Sequence, residues 1–275
     1  MRAVGRWVGR AAWMLGAMAV VGSVRAEDAP SEAGATRFEG AIGLIVKRSA
    51  AFPGSSDTSV GVSPAGFLRY GRFTVTGAGG FTTRRADDVE RGLGAELVRR
   101  DDLRLTLALR YDNGRKESDS DDLAGMGDIR ATVRARLTAR WEPVPGWKLT
   151  GGIGVDALNR VGGYLVEGSV AREWHTGPGQ TWTLSAGLSG AGDRYLQAWH
   201  GVTQEQSVAS GYPVFTAKEG LRDAHVSAIW RTEFAPNWAG FVGAGYTRLL
   251  GSAADSPLSK QPGGGSVNGA IVWRF

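Results

Sequence analysis

Cysteine is absent from this sequence of 275 residues. That excludes a disulfide framework and thiolate chemistry. Histidine is scarce: His175, His200 and His225 lie far apart, with no HExxH or comparable ligand spacing. Long hydrophobic runs are missing as well. Ala11 to Val21 spans 11 residues, and no later stretch reaches 18 consecutive apolar residues, whereas a spanning helix needs ~20. Excess charge of one sign is the fourth absence. The chain carries 32 Lys+Arg against 27 Asp+Glu, but Arg2, Arg6, Arg10 and Arg25 fall in the first 26 residues, where there is no acid. Beyond them the balance is 28 to 27. The basic isoelectric point belongs to the amino-terminal segment and gives no reason to expect a nucleic-acid partner.

That segment has a positive start, the short apolar run, and small residues at Val24 and Ala26 around a cleavage position. This is the layout of a secretory signal. The reading is a signal peptide over 1–26, a short periplasmic segment over 27–37, and one large domain over 38–275. An exported chain without a helical anchor is periplasmic, secreted, or an outer-membrane β-barrel.

Alternation favours the barrel. From Ile129 to Trp141 the odd positions read Ile, Ala, Val, Ala, Leu, Ala, Trp. The even positions from Arg130 to Glu142 read Arg, Thr, Arg, Arg, Thr, Arg, Glu. A soluble strand is usually 5–6 residues long, while a tilted membrane strand needs ~9–11. The apolar face ends in Trp, as an interfacial girdle does. Leu103 to Tyr111, Trp147 to Val155, Trp182 to Leu188, Ala224 to Phe234 and Trp238 to Tyr246 repeat the pattern. The chain supplies twelve such segments: 38–47, 60–70, 72–82, 89–99, 103–112, 128–142, 147–157, 164–174, 181–195, 221–234, 238–249 and 267–275. Their connections alternate long and short, as in bacterial barrels with long outer loops and tight periplasmic turns. In the last segment Val267, Gly269, Ile271, Trp273 and Phe275 form one apolar row, resembling the carboxy-terminal signal read by the outer-membrane assembly machinery.

Several loop motifs resemble the MipA/OmpV family of outer-membrane proteins. They are Phe52-Pro53-Gly54-Ser55-Ser56-Asp57, Gly114 to Asp119 followed by Leu123 to Asp128, and Gly201-Val202-Thr203 with Gly211-Tyr212 and Gly220 to Asp223. The most specific is Leu249 to Leu258. The similarity runs from about residue 38 to the end. His200, where the family pattern leads one to expect Phe, and Ser252, for a more usual Asp, depart from it. The resemblance implies a non-enzymatic scaffold bridging a lytic transglycosylase and a penicillin-binding protein. It also implies the adhesion and osmotic roles of OmpV-like members. It carries no catalytic residue and no cofactor. Outer-membrane lipid, lipopolysaccharide and the barrel assembly machinery are the other expected partners.

Three features compete as chemistry. His225 lies near Asp223 and Ser227, the elements of a hydrolase triad, although a polar lumen lining explains them more simply. Asp119, Asp121 and Asp122 are rich in oxygen ligands but lack EF-hand spacing, so a solvated loop is the plainer reading. Arg130, Arg134, Arg136 and Arg140, with Arg104 and Arg110 on the preceding strand, form a basic ladder on the lumen face. It is either paired with acids such as Glu142, Glu167 and Glu233, or it is the wall of a pore for small anions. Gly77 to Gly80 and Gly263 to Gly265 lack the strand–loop–helix setting of a phosphate cradle; they read as strand packing and a flexible loop.

Overall fold

The structure, a computed structural model, describes residues 38–77 and 91–275. The signal peptide and the 27–37 segment fall outside the described residues. Twelve antiparallel strands form a closed barrel in which every strand pairs with its sequence neighbours and β1 pairs with β12. They are β1 Phe38–Ala50, β2 Thr58–Tyr70, β3 Phe73–Thr76, β4 Gly92–Arg99, β5 Leu103–Asp112 and β6 Thr132–Val144. The second half comprises β7 Trp147–Asp156, β8 Tyr164–Gly177, β9 Gln180–Ala191, β10 Gly220–Ala235, β11 Trp238–Leu249 and β12 Gly263–Arg274. The expected number and order hold. Among the described residues no helix is long and apolar enough to cross a membrane.

Closure is the reason no sheet edge is left to be satisfied, which a bilayer would not permit. The seam runs from Ala41 opposite Arg274 to Arg48 opposite Val267. Beyond the last strand residue, Gly40 and Phe275 exchange two backbone hydrogen bonds of 3.2 and 3.0 Å.

The pleat sorts the side chains. Ile42, Leu44, Val46, Leu107, Leu109, Ile153, Val226, Val242 and Ile271 all stand exposed on the outer surface. At the end bearing the short turns they give way to rings. Phe38, Tyr70, Trp141, Trp147, Phe234, Trp238, Trp273 and Phe275 are exposed there, with Trp273 and Phe275 only 5.4 Å apart. Such a belt matches the interface between hydrocarbon and headgroups. The inner face is divided. Ala41, Ala65, Phe67, Ala239, Phe241 and Val272 make one buried apolar patch, while β5 to β8 carry charge.

Several boundaries differ from expectation. β9 ends at Ala191 instead of continuing to 195, because Gly192 and Asp193 open a helix there. β6 begins at Thr132 rather than 128. The preceding Ile129 makes an isolated bridge to Arg115, and Gly114 (φ +70°) permits that approach: a Cβ on it would sit 1.9 Å from the Ile129 carbonyl oxygen. Arg130 therefore stands outside the arginine ladder. Gly263 to Gly265 begin β12 instead of forming a loop, since the Tyr246 hydroxyl occupies the space beside Gly263 where a Cβ would project. β3 is described only over Phe73–Thr76, and residues 78–90, with most of the first glycine run, lie outside the described residues.

Candidate functional site: the loop cap and its charged seam

The long loops fold together over one end of the barrel. Residues 192–219 hold α1 (Asp193–His200) and α2 (Gln204–Ser210), residues 113–131 hold two 3-10 turns, and residues 250–262 hold α3 (Gly251–Asp255). The sequence sets these helices locally. Thr203 and Gln206 form a reciprocal capping box at the start of α2, and Gly211 ends it with φ of +79°; both are preferred helix punctuation. Two apolar clusters sit between the loops. One joins Tyr195, Leu196, Ala217, Leu249 and Ala253; the other joins Met126, Val202 and Leu258. Of the six largest fully buried side chains among the described residues, four (Leu123, Leu196, Val202, Leu258) belong to this cap.

Hydrogen bonds cross between loops remote in sequence. Gln206 Nε2 donates to the Met126 carbonyl at 2.7 Å, the Tyr212 hydroxyl to the Asp122 carbonyl at 3.2 Å, and Ser256 Oγ to the His200 carbonyl at 2.5 Å. Ser120 donates to Asp57 at 3.0 Å, and the Gln261 amide to the Gly54 carbonyl at 3.0 Å. The motifs that carry the family resemblance fall largely on these contacts.

Where the cap meets the barrel, α1 presents Tyr195 to two strands. The Arg134 guanidinium of β6 lies 4.8 Å from the Tyr195 ring centre, and that of Arg222 on β10 lies 5.8 Å away. Arg222 also donates to the Tyr195 hydroxyl at 3.3 Å. Tyr195 stacks on Trp199 at 5.8 Å, and Arg115 donates to the Trp199 carbonyl at 2.9 Å. Burial, together with the charges of Arg222 and Arg115, pushes the His200 imidazole down to about 3, so it is neutral near pH 7. Burial likewise lowers the Arg115 guanidinium to about 10.

The arginine ladder is paired along part of its length. Arg104 faces Arg140, and Arg110 faces Arg134, across β5 and β6. Like charges so placed repel, and acids from neighbouring strands intervene. Arg134 Nε donates to Asp112 at 2.8 Å, and Arg136 reaches both oxygens of Glu167, one at 3.1 Å. Near the turn end a further belt joins Lys148 to Glu173 at 2.9 Å and Arg274 to Glu233 at 3.1 Å.

The triad elements do not assemble. His225 Nδ1 lies 3.1 Å from Asp223 Oδ1, but Ser227 Oγ pairs with Ser185 Oγ at 2.7 Å and Ser189 donates to Asp223 at 2.6 Å. In the acidic loop, Asp119 accepts from the Lys116 amide at 2.8 Å and Asp122 pairs with Lys260. Among the described residues no cluster of His, Asp and Glu has the makings of a metal site.

Sequence reasoning missed the cap. Its apolar residues were visible inside otherwise polar loops, and the Thr203–Gln206 capping box was a readable signal.

A closed, outward-apolar barrel with an aromatic belt is an outer-membrane β-barrel. The chain belongs to the family described as MltA-interacting protein MipA, whose model matches residues 42–275. Solved structures of similar shape include the outer-membrane OmpT of Vibrio cholerae, at 9% identity and TM-score 0.41, covering 90% of this chain and 100% of that one. An outer-membrane channel from Pseudomonas putida shows 12% identity and TM-score 0.42, covering 90% and 100%. An anion-selective porin from Comamonas acidovorans shows 10% identity and TM-score 0.40, covering 88% and 99%. No curated protein matches the chain.

Proposed function

We propose that this barrel is a non-enzymatic docking protein of the outer membrane whose partner is a lytic transglycosylase. In this reading it helps couple murein degradation to a penicillin-binding synthase. The family match over residues 42–275 carries the proposal. On this reading residues 1–26 direct export, residues 27–37 are a short periplasmic segment, the short turns face the periplasm and the loop end faces outward. The row Val267, Gly269, Ile271, Trp273 and Phe275 serves as the assembly signal. The packed cap supports a structural rather than a conducting role, because its loops bond to each other instead of standing apart. The unassembled Asp223–His225–Ser227 set supports the absence of hydrolase chemistry. Crosslinking in intact envelopes followed by capture of the barrel tests the proposal; recovery of a murein-cleaving enzyme supports it, and repeated failure to recover one sinks it.

One observation favours a second reading. The β5–β6 wall presents Arg104, Arg110, Arg134, Arg136 and Arg140 on one side of the lumen, which suits small anions if the cap opens. Planar-bilayer recordings test it, since absence of conductance steps removes the pore.

A further inference from the structure

We propose that an oblique groove on the outer face of β6 to β11 holds an acyl chain of a phosphorylated glycolipid, with Arg248 at its loop end taking the phosphate. The observation is a groove of about 940 Å³ in the outer surface of the wall. Its course follows from the strand register. One row of cross-strand partners runs Ala139, Gly151, Gly168, Leu188, Ala224, Arg248, with one residue from each successive strand. A parallel row beside it starts at Trp141 and ends at Tyr246. Both rows line the groove. The steps between strands, about 4.8 Å each, carry it about 24 Å. Barrel strands are tilted, so a row across them also climbs. This one leaves the aromatic belt of the turn end at Trp141 and finishes at Arg248, beside the last residue of β11.

The groove exists because its middle lacks side chains. Gly151 and Gly168 face each other across β7 and β8, and a Cβ on either would meet nothing within 4 Å. Close packing therefore does not call for glycine here; the bare positions leave a channel beside Leu149, Val170 and Leu188. Hydrocarbon surrounds this level of the wall, so the occupant is apolar along most of its length. The charge at the end chooses among apolar occupants. Arg248 is exposed on the lipid-facing row and stands across from Ala224 and Gly263, neither of which answers a charge. A guanidinium at headgroup level matches the paired oxygens of a phosphate. A second copy fits less well, since two-fold symmetry sets this concave face against itself. Another apolar groove, of about 1060 Å³, lies over β10, β11, β12 and β1 beside Leu44, Trp230, Val242 and Ile271; no charged side chain lines it, and it serves as the control. The choice of a glycolipid over a glycerophospholipid rests on the reading that the loop end faces outward.

Native mass spectrometry of the protein folded in detergent counts bound lipid. A phosphorylated outer-leaflet glycolipid, its dephosphorylated form and phosphatidylglycerol are titrated separately. Saturable binding of the phosphorylated glycolipid is expected, with weaker binding of the other two. Gly168→Leu, which fills the channel, raises its half-saturating concentration about tenfold, and Arg248→Gln does so for the phosphorylated form alone. Val242→Phe in the uncharged groove leaves the titration unchanged. Heat-modifiable gel mobility confirms that each variant is folded; Gly151→Leu and Arg248→Met replace the first two if they fail. Unchanged titrations in folded groove and Arg248 variants, or equal binding of phosphatidylglycerol, overturn the proposal. A lipid-free dimer that Gly168→Leu dissociates overturns it too, by giving the groove to a second copy. The outward reading is tested by itself through surface labelling of Val208→Cys in intact cells, because the chain has no other cysteine and Val208 is exposed in α2. Absence of label overturns that orientation, and with it the choice of lipid, whatever the detergent titration gives.

Discussion

The barrel wall and the cap bury apolar surface in opposite directions. In the wall the large aliphatic residues face outward and the charges face inward, so the strands need a surrounding hydrocarbon phase to be stable. In the cap Leu123, Leu196, Val202 and Leu258 are buried between the loops, as in a water-soluble domain. The wall is specified by a period of two along each strand. The cap is specified by contacts between loops far apart in the chain, such as Arg115 with Trp199 and Ser256 with His200. One chain thus meets two solvents with two different rules, and lesions in the two regions should separate.

The sharpest separation comes from paired truncations. Leu196→Ala opens a cavity in a site with no exposure and is expected to cost about 2–5 kcal/mol of cap stability. Leu107→Ala on the lipid face leaves no internal cavity and should cost far less. Amide exchange over 192–219 accelerates in the first variant only, while both retain the heat-modifiable mobility of a folded barrel. Loss of that mobility in Leu196→Ala would merge the two regions into one cooperative unit.

A smaller effect comes from pH. His200 is neutral in the folded cap, pushed down to about 3 by burial and by Arg222 and Arg115, with Asp223 acting in the opposite sense. Its ordinary value is ~6.5. A depressed histidine contributes stability that is complete above ~6.5 and is lost as pH falls towards 3, because the opened state takes up the proton first. At pH 5 the loss is roughly 2 kcal/mol. Cap opening measured by exchange should therefore increase below pH 6.5, and His200→Phe should flatten that dependence. An unchanged slope in the variant would move the cause elsewhere.

The smallest effect is expected at the rim. Lys260 pairs with Asp122 between two cap loops, but it is exposed, and exposed pairs contribute little. Lys260→Ala should leave cap exchange unaltered at physiological salt. A clear acceleration would show that the charged rim, and not the apolar clusters, holds the loops together.

How much of this was legible in the sequence follows the same division. Alternation from Ile129 to Trp141 and along the other segments announced the wall, its inward arginines and its twelve strands, since each strand's two faces are written in consecutive residues. The strand expected over 181–195 overruns the first three residues of the helix at 193–200. Arg130 falls into the ladder because it continues the alternation of β6 upstream of Thr132. Nothing local marks Met126, Val202 and Leu258 as neighbours, or brings Arg115 to the Trp199 carbonyl. Those groupings depend on loop closure across the barrel mouth. The loop motifs that resemble the family have a physical meaning as cap contacts.

The cap also has a mechanical consequence. Its bonds link the loops after β1, β5, β9 and β11, which stand at separated points on the circumference. Together they act as a hoop across the mouth of the tube. The wall at that end can neither ovalise nor splay without breaking several ties at once, while at the turn end the Arg274–Glu233 pair ties β12 to β10 across the intervening strand. Thermal breathing of the mouth must therefore move four loops together.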